Sequence, residues 1–304
     1  MSKQINGFSK LSKQEKIDWI SKTHFSDSQK AAHQLSSYWN SSPEVQTRHD
    51  EFIENTLTNF YMPLGLAPNF LINDALYTLP MVIEESSVVA AAGNAAKFWF
   101  SKGGFEAKII DTIKVGQVHF LYEGAPSILN SFFKNNKSKL LEATKPLTLN
   151  MEKRGGGIVS LDLIDKTAAL DHYYQLQVRF KTADAMGANF INSCLESLAD
   201  ELEKVSQQDA SFTEDNPKIE VIMSILSNYV PECLVHAKVS CPIDSIEPQE
   251  GMDGATFAKK IVQAIQIANC EPYRAVTHNK GIMNGVDALV LATGNDFRAI
   301  EAGV

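Results

Sequence analysis

The chain has 304 residues, 44% hydrophobic and 21% charged, the composition of an ordinary soluble globular protein with room for two domains or one domain with an insertion. A formal charge of -8 and a pI near 5.4 argue against nucleic acid or an anionic membrane as the main partner, because both reward a basic face. The first residues lack the apolar core of a signal peptide and no later run suits a bilayer span, so the expectation is a cytoplasmic protein. Cys194, Cys233, Cys241 and Cys270 lie far apart without a Cys-x-x-Cys pair, which predicts reduced core thiols rather than a disulfide framework or a metal site.

Ser12 followed by Glu15 is a capping-box pattern, and Leu11, Ile17, Trp19 and Ile20 give the helix behind it an apolar side. A second helix is expected over residues 43–57, and an irregular segment over 62–69, where prolines and a glycine accumulate. Residues 70–72 and 77–83 read as strands around an Asn73-Asp74 turn. Glu84 and Glu85 follow, then an alanine-rich helix closed by Gly103-Gly104. Small side chains let other backbone approach, so this helix is expected at the centre of the fold with Glu85 at its buried mouth. There the helix dipole favours the carboxylate and desolvation favours the acid, which poises a proton donor; the alternative is that the two glutamates merely complement the dipole.

Residues 109–121 alternate like a strand, and 127–143 form an amphipathic helix. Gly155-Gly156-Gly157 is a turn, and 158–163 and 173–180 are two further strands before a long helix from Ala185. That order predicts a ferredoxin-like α+β unit set into a larger domain. Asp184 is read as the N-cap of the long helix, whose apolar stripe comprises Ile191, Cys194, Leu195, Leu198, Leu202 and Val205. Gly187 and Ala188 leave its first turn open to a phosphate or ribose. No Gly-x-Gly-x-x-Gly follows a strand and no Gly-Lys-Ser/Thr occurs, so neither a Rossmann nor a P-loop site is supported. Residues 217–226 and 234–240 read as strands, and 255–270 as a helix.

Residues 273–285 place Arg274, His278, Asn279, Lys280 and Asn284 around Gly281 and Gly285, which reads as a loop; residues 286–292 read as a buried strand delivering Asp296. A lysine is a cation at neutral pH and suits a negative oxygen that forms during reaction, with an aspartate nearby to hold the charge. The plainer reading is a surface ion pair.

Together these segments resemble class II 3-hydroxy-3-methylglutaryl-coenzyme A reductase. The matching text is Glu54-Asn55, the run from Pro80 through Glu84-Glu85-Ser86-Ser87 to Ala92, residues 184–189, Ile225-Leu226-Ser227-Asn228, and nearly all of 273–303. The resemblance implies two-step hydride reduction of the thioester to mevalonate and free coenzyme A, or the reverse, in a homodimer or higher oligomer whose active site forms at the subunit interface. It assigns Lys280 to the oxyanion, Glu85 to proton donation, and Asp296 to holding and tuning both. Ser87, Arg274 and Asn284 would contact the hydroxymethylglutaryl part, and Asp184, Met186, Gly187, Asn189 and Asn228 the dinucleotide. It implies a large mixed α/β coenzyme A ester-binding domain from 1–108 and 220–304, with a dinucleotide-binding small domain at 109–219.

In members preferring NAD an acidic residue a few places before the triple glycine holds the ribose hydroxyls; the corresponding place here is near Thr148, so the resemblance favours NADP, or no strict preference between NADP and NAD, and no metal is expected. Ser86 stands where the family usually has Pro. The family continues past the point matching Val304 into a C-terminal flap bearing a histidine that protonates the departing thiolate, and none of the seven histidines here matches it. A non-catalytic homologue that binds coenzyme A esters or dinucleotide, or partners a full-length subunit, is therefore the second reading.

Overall fold

The computed structural model describes residues 3–212, 218–248 and 251–304. Its contacts divide the chain into two units, one from the described residues up to Gly65 with Val82–Glu85, the other from Leu66–Met81 with Ser86–Val304.

The first unit holds α1 (Lys13–His24), α2 (Ser28–Ser36) and α3 (Pro43–Asp50). The capping box forms in full: the Ser12 hydroxyl accepts from the Glu15 N–H at 3.3 Å, and the Glu15 carboxylate accepts from the Ser12 N–H at 2.7 Å. Ile17 is fully buried behind it. Lys13 Nζ donates to both carboxylate oxygens of Asp50, at 2.7 and 2.9 Å, tying the start of α1 to the end of α3. The helix expected over 43–57 stops at Asp50, and Asn55 beyond it takes a left-handed φ of 60° that a helix interior does not accommodate. Helix α2 went unread, being short and mostly polar.

β1 (Leu64–Ile72) and β2 (Ala75–Val82), which belong to the second unit from Leu66 to Met81, form a two-stranded sheet. Asn73 and Asp74 both have positive φ, 48° and 66°, as a tight hairpin turn demands. The irregular segment expected from 62 is strand from Leu64 onward; Pro68 is tolerated because both strands of such a sheet have an open edge. Helix α4 (Val88–Phe100) buries Ala96 fully and leaves most of its surface open, so it is not the buried centre expected of it. Small side chains permit close approach but carry little area to bury, which gives no drive to the core.

Then come β3 (Glu106–Leu121), α5 (Pro126–Ala143), α6 (Lys145–Lys153), β4 (Gly157–Asp165), β5 (Tyr173–Lys181), α7 (Ala188–Gln208), β6 (Glu220–Leu226) and β7 (Cys233–Lys238). The sheet runs β4-β5-β3-β6 with every pair antiparallel, and the first half of β3 also pairs with β7. Pro217, at the start of one expected strand, lies outside the described residues. Val118 and Phe120 of β3, with Tyr174, Leu176, Val178 and Phe180 of β5, face α5 and α7. The whole apolar stripe of α7 is buried there. Gly116 sets the distance, since a Cβ on it would lie 2.5 Å from Leu195 Cδ1.

His119 points to the opposite face, its Nδ1 2.6 Å from the Tyr173 hydroxyl, and burial lowers its pKa below the ordinary imidazole value. The folded state thus binds the proton less readily than the unfolded chain. Stability from this neutral imidazole is full above the unfolded value of about 6.5 and declines as pH falls through it toward the lower folded value. Urea midpoints at pH 7.5 and pH 5 are expected to separate more for the wild type than for His119→Gln; equal separations would contradict the assignment.

The chain closes with α8 (Gly254–Cys270), α9 (Pro272–Ala292) and α10 (Phe297–Gly303). Of the cysteines only Cys194 is a core thiol, its pKa pushed up to about 11 by burial; Cys233 and Cys241 are partly buried and Cys270 is exposed. The expectation that all four sit in the core is corrected accordingly. Among the described residues no helix is long and apolar enough to cross a membrane, and no group of three or more His, Cys, Asp or Glu is placed to hold a metal.

Candidate active site

The largest correction concerns residues 273–292, which form one helix rather than a polar loop and a strand. Pro272 occupies its first turn, where its fixed φ suits a helix and its missing N–H costs nothing. The Glu271 carboxylate caps the end by accepting from the Arg274 N–H at 2.6 Å. Gly281 and Gly285 sit in open space and are absorbed at some cost in propensity. Lys280 is exposed on this helix, and Asn284 lies one turn on. With the Asn284 amide turned so that its nitrogen donates to the Lys280 carbonyl at 3.2 Å, its oxygen accepts from Lys280 Nζ at 3.1 Å. Arg274 lies six residues earlier, which at about 100° per residue places it on a different face from Lys280.

Asp296 caps α10, accepting from the N–H groups of Arg298 and Ala299 at 3.1 and 3.2 Å and pairing with the Arg298 guanidinium at 3.2 Å. The Ala299 N–H, then Arg298, hold its carboxyl below the usual range. Ser87 begins α4 in a left-handed conformation, φ 75°, and is exposed. Glu85 is an exposed residue of the first unit, not a buried one as expected.

The dinucleotide candidates converge more closely. A cavity of ≈ 390 Å³ is lined by Asp184, Met186, Ala188, Asn228, Asn295 and Asp296, among others, and so joins the start of α7, the end of β6 and the cap of α10. Asp184 is not the N-cap of α7; it pairs with Arg154, whose hydrogen bond lowers its carboxyl pKa. The N-cap is Gly187, at φ 80°, where a Cβ would lie 2.4 Å from Thr182 Cγ2. A glycine there leaves the helix end without a side-chain cap, a donor set that fits a diphosphate. The polar groups of Asp184, Asn228 and Asn295 suit the ribose and amide parts of the same molecule. Asn189 is exposed in the first turn, while Lys280, Arg274 and Asn284 do not line this cavity.

Lys114 was missed. It stands on the helix-facing parity of β3 with Gly116, Val118 and Phe120, and a lysine on a core-facing parity is the signal that finds it. Its Nζ donates to Thr182 Oγ1 at 2.9 Å and to the Ala185 and Met186 carbonyls, each at 2.8 Å. It lines the cavity, and burial depresses its pKa.

The chain is a mixed helix-and-sheet protein with a cavity at the start of α7. The sequence pattern of the family "Hydroxymethylglutaryl-coenzyme A reductase" matches residues 12–304. A 3-hydroxy-3-methylglutaryl-coenzyme A reductase of Archaeoglobus fulgidus is 34% identical over 306 residues, and a probable one of Borreliella burgdorferi 33% over 261. All of this chain aligns to the former and 84% to the latter, and it spans 64% and 56% of their respective lengths. The class II enzyme of Streptococcus pneumoniae, solved bound to NADPH in open conformations, superposes with a TM-score of 0.73 at 36% identity, covering 98% of this chain and 76% of that one. The chain belongs to the hydroxymethylglutaryl-coenzyme A reductase family.

Proposed function

We propose that the protein is a NAD(P)-dependent reductase of hydroxymethylglutaryl-coenzyme A, acting in the cytoplasm on the thioester to give mevalonate and free coenzyme A, or in reverse. The observation that carries this reading is the cavity that unites the α7 start, Asn228 and Asp296 in a chain of this family. When bound, the dinucleotide supplies hydride. Asp184, Met186, Gly187, Asn189 and Asn228 would bind and orient it, the open N–H groups at the start of α7 being the donors that suit a diphosphate. Lys280 holds its ammonium toward the thioester oxygen and stabilises the negative charge that forms there, and Asn284 orients the ammonium. The resemblance supports Glu85 as the proton donor to the product oxygen and Asp296 as the carboxylate that tunes the reaction's charges. Ser87 and Arg274 bind the hydroxymethylglutaryl part, the guanidinium matching its carboxylate.

The order β3-α5-α6-β4-β5-α7, with β4-β5-β3 side by side in one sheet, supports reading 109–219 as a ferredoxin-like small domain inserted into a coenzyme A ester-binding domain from 1–108 and 220–304, while β6 (Glu220–Leu226), which pairs with β3, falls beyond the expected boundary. Thr148, near the place of the acidic residue found in NAD-preferring members, supports NADP. The reading includes a homodimer with the active site at the subunit interface. Incubation with hydroxymethylglutaryl-coenzyme A and NADPH or NADH tests it: two dinucleotides oxidised per thiol released is the expected stoichiometry. Dinucleotide binding without thiol release would instead support a non-catalytic homologue.

A further inference from the structure

We propose that Lys114 is the positioning residue that fixes the 182–187 loop in the shape the dinucleotide binds; this rests on the reductase reading above. The loop joins β5 to α7 and carries Asp184 and Met186 into the cavity. Nothing in its composition makes that path obligatory: Ala183 takes a left-handed φ of 51°, uncommon for alanine, and Gly187 one of 80°. Such a backbone persists only where its surroundings over-determine it.

Lys114 and Thr182 supply that determination. The lysine has three N–H groups, and each meets an acceptor on the loop: Thr182 Oγ1 at 2.9 Å and the Ala185 and Met186 carbonyls at 2.8 Å. Thr182, fully buried, donates its own hydroxyl proton to the Ala185 carbonyl at 2.7 Å. The two side chains thus both donate to the Ala185 carbonyl, and the Thr182 methyl lies where a side chain on residue 187 would have to go. Lys114 is also the one cation among the described residues lining the cavity, where the other charged groups are Asp184 and Asp296. With all three donors committed to the loop, it acts through the loop rather than by touching the ligand.

The test is NADPH titration by fluorescence on the whole protein, with KM for hydroxymethylglutaryl-coenzyme A measured alongside. Lys114→Met keeps the aliphatic stem and removes the donors. If the competent loop falls to about a tenth of the population, the apparent Kd for NADPH rises about tenfold, while KM for the thioester stays within about twofold. Thr182→Val weakens NADPH binding in the same direction, and Thr182→Ser, which keeps the hydroxyl, restores it; this contrast decides the matter even where Lys114→Met does not fold. A folded Lys114→Met with wild-type NADPH affinity overturns the inference alone, as do equal losses for NADPH and thioester or a Thr182→Ser as weak as Thr182→Val. A wild-type protein that binds no NADPH overturns the reductase reading and this inference with it.

Discussion

Replacing Lys280 with methionine is expected to lower kcat for thioester reduction by about 10² to 10³, the usual cost of deleting a group that stabilises an oxyanion. The same substitution is expected to leave NADPH affinity within about twofold, because Lys280 does not line the cavity that joins Asp184, Asn228 and Asp296. The split separates the catalytic reading from the plain one. Lys280 is exposed on α9, and a lysine serving only as a surface charge is expected to contribute no more than about 1 kcal/mol to stability and nothing to kcat. Single-turnover NADPH oxidation and equilibrium titration of the same variant decide it. Retention of more than about a tenth of wild-type kcat would remove Lys280 from the mechanism.

The second large effect is on stability. Phe120 is fully buried in the sheet face covered by α5 and α7, with the Tyr174 ring stacked 6.0 Å away. Phe120→Ala removes an aromatic side chain from a region where α7 approaches so closely that residue 116 has no room for a Cβ, so collapse into the void is restricted. The expected loss is about 3–5 kcal/mol, against a total domain stability of about 5–15 kcal/mol. Leu170→Ala, in the connection between β4 and β5 and 59% exposed, is expected to change stability by less than about 0.5 kcal/mol. Urea unfolding of the pair measures the contrast, and a Phe120→Ala loss below about 1 kcal/mol would contradict the packing described for this sheet.

The same packing explains which parts of the molecule could be read from its sequence. Strand and helix periods survive where one face is wholly buried, as along β3, β5 and α7, and there the elements and their order were legible. Helix α9 has its Ala288 buried and most other positions partly or fully open, so its apolar residues carry no clean 3.6 period, and two glycines and a run of polar groups imitate a loop. Pro272 after Glu271 was the signal that outweighed them. Asp184 was misplaced for a related reason: an aspartate before a helix is usually its cap, but Arg154, distant in sequence, claims it, and the left-handed Gly187 takes the cap position. Lys114 was hidden because an alternating strand pattern draws the eye to its apolar residues. Its three hydrogen bonds reach a loop about 70 positions away, a separation that no local pattern encodes. The candidate residues themselves were legible by resemblance, while their distribution was not: Asp184, Met186, Asn228 and Asp296 share one cavity, whereas Lys280, Asn284 and Arg274 do not line it, although Val290 of the same helix does.

The most direct test of the account is the fate of hydride. With hydroxymethylglutaryl-coenzyme A and NADPH carrying deuterium at the transferred C4 position, two successive transfers to the thioester carbon place two deuterium atoms on the carbinol carbon of mevalonate. A reductase gives a product two mass units heavier than that from unlabelled NADPH, with one thiol released per product. Unlabelled product, or NADPH that binds and is never oxidised in the presence of the thioester, would contradict the reductase reading.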